Sequence, residues 1–236
     1  MKNSVICNNC QTENPFYKVI CENCKSYIRD RVYNIDLGNI IARLIESPTS
    51  GFRTIIFSEH KNFLVVIILF SILKFEIDSI FISLFLKKEI ISLNNFAVDY
   101  LGLVLILPAV FLLFSYLVTI LNRKTGYETR LLDNFSIYFY SFLPHIFALI
   151  VLFPLELVMF GEYLFSTNPS PFAIKEFIAY TLLVLELLIV IWSFFLTIMA
   201  NYTQTKNVLY SIIISIIYQS LLFFILYSFP NILLIK

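Results

Sequence analysis

The sequence predicts an all-α polytopic membrane protein, with five transmembrane helices preceded by a small β zinc ribbon and short interfacial helices. Three observations predict it. All four cysteines fall in the first 24 residues, as the pairs Cys7/Cys10 and Cys21/Cys24. Of 236 residues, 59% are hydrophobic and 14% charged, against about 25% charged in soluble domains. Beyond residue 61 come five apolar runs of roughly 20 residues, the length that crosses a bilayer as a helix. The chain therefore divides into a ribbon (1–28), an amphipathic juxtamembrane segment (29–61) and a membrane domain (62–236).

Each C-x-x-C puts two sulfurs on one tight knuckle, and ten residues separate the pairs. A short hairpin then brings the knuckles together. Four thiolates make a closed tetrahedral site that suits zinc and leaves no open position for catalysis. Asn8-Asn9 and Glu22-Asn23 fill the knuckles, and Asn14-Pro15 is the expected turn between them. Phe16, Tyr17, Val19 and Ile20 are the expected core. A unit this small needs metal to fold. With Lys2, Lys18 and Lys25 opposed by Glu13 and Glu22, and a net charge of +1, nothing draws it to nucleic acid.

In the juxtamembrane segment Asp36 caps a helix whose Leu37, Ile40, Ile41, Leu44 and Ile45 share one face. Ser47-Pro48 ends it, and a second apolar segment runs from Phe52 to Phe57. Two readings stand: helices lying at the membrane surface, or helices packed on the loops of the membrane domain.

The five spans are expected near 62–86, 97–121, 135–165, 173–200 and 208–229. Pro144 and Pro154 predict that the third is kinked or split. Lys and Arg residues outside the spans divide 12 to 4. The side of the N-terminus has eight before the first span, with Arg123, Lys124, Arg130 and Lys206; the opposite side has Lys87, Lys88, Lys175 and Lys236. This bias predicts a cytoplasmic N-terminus, where thiols stay reduced and favour zinc over disulfides.

Lys74, Glu76 and Asp78 interrupt the first span, and Glu156 and Glu186 lie in later ones. A charge at the bilayer centre costs roughly 3 kcal/mol on insertion scales. Lys74 is therefore expected to meet Glu186 or Glu156 across helices, with His145 joining them. This intramembrane polar cluster reads either as a buried pair fixing helix register or a carboxylic acid kept protonated, or as a proton or ion path or a polar substrate groove. A helix break at Lys74–Asp78 would favour the second. Tyr116, Tyr138, Tyr163, Tyr202 and Tyr227 fall near span ends, as an interfacial belt would. No phosphate loop or hydrolase motif occurs.

The zinc-ribbon head, the segment around Pro48 and Phe52-Arg53, and five spans together resemble the bacterial Yip-domain (Ypt-interacting protein) family. The most specific match is Phe135 to Pro144, where Tyr140 and Pro144 reproduce a Tyr-x-x-x-Pro spacing. Gln11 and Lys25 stand where glycine often follows the second cysteine of such ribbons. Eukaryotic relatives act in vesicle traffic and bind small GTPases; some bacterial ones resemble accessory subunits of exporters. The resemblance implies a non-enzymatic scaffold in the bacterial inner membrane. It would contact lipids, bind a protein partner through its ribbon or helix bundle, and admit homo-oligomers. The alternative is a transporter of a lipid or small solute using Lys74, Glu156 and Glu186.

Overall fold

A computed structural model describes residues 1–85, 96–166 and 168–233. Lys87, Lys88 and Lys236, used in the charge count, lie outside the described residues. The chain is mostly helical, 73%, with one small two-stranded sheet. It forms two compact units: Met1–Val66 with Ala109–Ser141 and Phe195–Ile217, and Ile67–Pro108 with Phe142–Phe194 and Tyr218–Lys236.

The first unit begins with the ribbon. Strand β1 (Ser4–Ile6) pairs antiparallel with β2 (Glu13–Pro15), Ser4 opposite Pro15 and Ile6 opposite Glu13. The chain reverses at the first knuckle itself. Asn14-Pro15, expected to mark the turn between the knuckles, is buried at the end of β2, and the turn follows directly, the Lys18 N–H donating to Pro15 O (3.0 Å). The Asn14 amide donates to the Thr12 carbonyl (2.9 Å), and its oxygen accepts the Glu22 N–H (2.9 Å), tying one knuckle to the other. The expected apolar core also differs. Ile20 is exposed and pairs with Tyr27 in an isolated bridge, while Cys7 and Cys21 are fully buried.

The ribbon is fastened within this unit at two places. The Lys2 N–H donates to Gly126 O (2.8 Å) and the Asn3 amide to Glu128 O and Gln204 O (3.0 and 3.2 Å), while Asn3 Oδ1 accepts the Glu128 N–H (2.9 Å). Phe16 packs on Phe57 with centroids 5.1 Å apart, and the Arg29 guanidinium lies 3.5 Å from the Phe57 ring centre. Arg29 also donates to the carbonyls of Phe16 and Lys18.

Helix α1 (Leu37–Glu46) starts at Asp36, whose Oδ1 accepts the Asn39 N–H (3.2 Å), which meets one of the donors a helix start leaves open. Helix α2 (Pro48–Phe57) follows directly, with Pro48 in its first turn, where a missing N–H costs nothing. Ile40 and Leu44 of α1 and Gly51, Phe52, Ile55 and Ile56 of α2 are buried, the two helices pack on each other, and α2 also packs on α5. Their apolar faces are thus covered by each other and by α5; Ile45 remains outward. Gly51 is required by the close approach: a Cβ there would stand 2.9 Å from Leu44 Cδ2 and 3.2 Å from the Leu44 backbone nitrogen.

The long helices are α3 (Leu64–Phe85), α4 (Phe96–Lys124), α5 (Leu131–Tyr140), α6 (Leu143–Phe160), α8 (Glu176–Thr205) and α9 (Val208–Leu233). A 3-10 turn (Gly161–Phe165) follows α6, and the four-residue α7 (Pro171–Ile174) precedes α8. Among the described residues four segments are long and apolar enough to cross a membrane: α4, α5 with α6 and its 3-10 turn, α8, and α9 to Ser228. The 22 residues of α3 rise about 33 Å, but Lys74, Glu76 and Asp78 interrupt its apolar run. It continues unbroken through these three, so the helix break considered there does not occur.

The third segment is split, as its prolines predict. The break falls at Ser141-Phe142, leaving Pro144 in the first turn of α6, where its ring is accommodated; Pro154 stays inside α6. Outward-facing Phe177, Val184, Leu188 and Ile191 on α8 are what a lipid-facing helix displays. Tyr116, Tyr163 and Tyr227 are exposed, but Tyr138 is fully buried and donates to Asn201 Oδ1 (3.0 Å), so it belongs to the interior rather than to a belt.

Candidate metal centre and charge cluster

Cys7, Cys10, Cys21 and Cys24 converge: their sulfurs all lie within 4.8 Å of one another. Cys7 and Cys24 are 3.6 Å apart, Cys10 and Cys21 3.5 Å. These gaps exclude a disulfide, whose S–S length is about 2.0 Å. They suit a tetrahedral ion: a metal–sulfur length of about 2.3 Å implies edges of about 3.8 Å.

The surroundings are built for charged sulfur. Ser26 Oγ is 3.3 Å from Cys7 Sγ and 2.9 Å from Cys24 Sγ, Cys10 Sγ meets Thr12 Oγ1 at 3.3 Å, and the Asn14 amide reaches Cys21 Sγ at 3.5 Å. The Ser26 hydroxyl, with the Ser26 backbone N–H, holds the Cys24 thiol down to about 5. The same hydroxyl, then the backbone N–H groups of Cys10 and Asn9, lowers Cys7. Such partners orient ligands and are half of a metal site. Thr12, Asn14 and Ser26 were missed from sequence, although their places beside each pair were a visible signal.

The knuckles close through Gln11 N–H to Cys7 O (2.9 Å) and Lys25 N–H to Cys21 O (3.2 Å). Both Gln11 (φ 58°) and Lys25 (φ 61°) adopt the left-handed backbone that glycine takes most easily. The turn geometry is therefore kept without glycine.

In the second unit Lys74, wholly buried, meets two carboxylates: Asp78 Oδ1 at 2.7 Å on its own helix and Glu186 Oε1 at 2.8 Å on α8. His145 Nδ1 stands 4.0 Å from Asp78 Oδ2, and its ring stacks on Phe142. Of the two acids expected opposite Lys74, Glu186 is the one that pairs with it. Asp78 joins it by the i,i+4 spacing, which puts both side chains on one face. Glu156, nine-tenths buried on α6, makes no ion pair with Lys74 among the described residues; it interacts electrostatically with Glu186, Lys74 and Asp78. Glu76 points elsewhere. It is buried, its carboxylate has no hydrogen-bond partner among the described residues, and it interacts with Asp99 of α4, a residue missed from sequence.

A third set of charges, also missed, lies in the first unit. Lys61 and Asp133, both almost fully buried, pair at 3.2 Å, and Arg130 grips Asp133 with two bonds of 2.6 and 3.1 Å. Lys61 donates to the carbonyls of Ile55 and Ser58, and Arg130 to that of Ile56 (2.7 Å). Together they satisfy the carbonyl end of α2, where a cation is favoured. Burial pulls Lys61 below the ordinary lysine range, with Asp133 opposing. No protein-family model, curated protein or solved structure matches the chain.

Proposed function

We propose a non-enzymatic integral-membrane scaffold, Yip-like in layout, whose zinc-loaded ribbon docks a protein partner on the cytoplasmic side of a bacterial inner membrane. The observation that carries the reading is the closed four-sulfur centre. All four tetrahedral positions are taken by cysteine, so a bound ion has no open position for substrate and acts by holding a surface. A tetrahedral four-thiolate set suits zinc, and a reducing compartment keeps its thiols free to bind it. That surface carries exposed Ile6, Ile20 and Tyr27, apolar groups of the kind that anchor a partner. Counting α3 as a fifth span accounts for its length and for the basic residues gathered on the N-terminal side.

The test is a photo-reactive residue at Tyr27 in the intact protein in its native membrane. Crosslinking to one partner, abolished by Cys7→Ser, is expected. Equal crosslinking with and without Cys7, or none, would overturn the reading. A second reading, a lipid or solute carrier, draws on the Lys74–Asp78–Glu186 cluster, in which the two acids are partly exposed, and a solute that raises the melting temperature only when Lys74 is present would favour it.

A further inference from the structure

We propose that Asp78, Glu156, Glu186 and His145 form a proton-binding site inside the membrane-embedded helices, with Lys74 as its fixed countercharge. Three acids face one lysine, so full ionisation would leave two negative charges in excess in a non-polar medium, where excess charge is strongly disfavoured. Lys74 is already satisfied by Asp78 and Glu186 at 2.7 and 2.8 Å. The atoms left over are the ones a proton needs. Both ring nitrogens of His145 and Oε2 of Glu156 are buried with no hydrogen-bond partner among the described residues, and both side chains are more than nine-tenths buried.

His145 Nδ1 faces Asp78 Oδ2 across 4.0 Å, too long for a hydrogen bond and short enough for a small side-chain rotation to close. One proton resides on Glu156. The second is shared between Asp78 and His145, making either a carboxylic acid beside a neutral imidazole or an imidazolium beside a carboxylate. The groups facing Asp78 are Lys74 on α3, Glu186 on α8, and His145 and Glu156 on α6. An alkali ion fits less well: Lys74 already occupies the cationic position, and the orphaned atoms are mostly nitrogens, whereas hard cations want several oxygens. The proton site holds whether or not the ribbon docks a partner.

Infrared spectroscopy of the whole protein in lipid vesicles tests this. The wild type is expected to show a protonated-carboxyl band at neutral pH that shifts in heavy water. Glu156→Gln should remove the intensity of one carboxylic acid, and Asp78→Asn should change the pH at which the remainder titrates. Glu76→Gln identifies any signal from the separate Glu76–Asp99 pair. No such band in the wild type, or one unchanged by both Glu156→Gln and Asp78→Asn, would overturn the proposal; should one variant fail to fold, the other decides. Melting temperature at equal ionic strength should be the same in sodium and choline chloride. A rise specific to sodium would mean that an alkali ion, not a proton, balances the cluster.

Discussion

Gln11 and Lys25 occupy matching places in the two knuckles, and each sends its side chain back to the carbonyl three residues earlier. Gln11 Nε2 donates to Asn8 O at 3.3 Å, and Lys25 Nζ to Glu22 O at 2.8 Å. The left-handed backbone costs a residue with a Cβ about 1 kcal/mol, and these two bonds offset part of it. Glycine would remove the strain but lose the bond and gain freedom in the unfolded chain. Gln11→Gly is therefore expected to change ribbon stability by less than about 1 kcal/mol, and Gln11→Val, β-branched, to destabilise by about 1–2 kcal/mol. Chelator concentration at half release of the metal measures both. Equal behaviour of Val and Gln would show that backbone strain at residue 11 is not what matters.

Removing the metal should unfold the ribbon and leave the helices. The ribbon has a buried core of little beyond Cys7, Asn14, Pro15 and Cys21, so metal binding and folding are one event. Its release should also free the Lys2 and Asn3 contacts with Gly126, Glu128 and Gln204. We expect proteolysis within residues 1–28 after chelation with helical circular dichroism preserved. Ser26→Ala, which removes the hydroxyl beside both Cys7 and Cys24, should weaken metal binding roughly 10–100-fold. Undiminished affinity in Ser26→Ala would show that the hydroxyl does not hold those sulfurs.

Gly51→Ala should destabilise the α1–α2 pair by about 1–3 kcal/mol, as overpacking does. Two of the three close atoms belong to the Leu44 side chain and one to its backbone. Leu44→Ala in the same chain should therefore relieve part of the Gly51→Ala loss. Additive losses in thermal melts of the two single variants and the double would show that the contact is not shared.

The features legible in the sequence are those set by local spacing. The cysteine pairs, the Asp36 cap, the Pro48 helix start and the break before Pro144 each depend on a few neighbouring residues. Lys74 with Glu186 was legible because buried charges must pair. What escaped depends on distant partners. Tyr138 reads as a belt residue until Asn201, 63 positions away, is seen to accept its hydroxyl. Lys61 reads as one more basic flank until Asp133 is found beside it.

Lys74 serves two acids at once, which changes what its removal should do. Lys74→Met would leave Asp78 and Glu186, whose side chains are 20% and 21% exposed, without a cation, and the about 3–5 kcal/mol lost when a fully buried pair is broken is the upper bound on the cost. Had Glu186 been the sole partner, adding Glu186→Gln would recover most of that loss. With Asp78 at 2.7 Å as well, the double variant should recover only part, and Lys74→Met with Asp78→Asn and Glu186→Gln together should recover more, since neutral groups of similar shape can replace a buried ionic set. Glu156→Gln, lacking an ion pair with Lys74, should rescue Lys74→Met least. Melting temperatures in detergent of these four variants, with the Asp78→Asn, Glu156→Gln and Glu186→Gln single variants, order these effects. Strictly additive losses, or rescue by Glu156→Gln equal to that by Glu186→Gln, would mean that the two short contacts at Lys74 do not hold the helices in register.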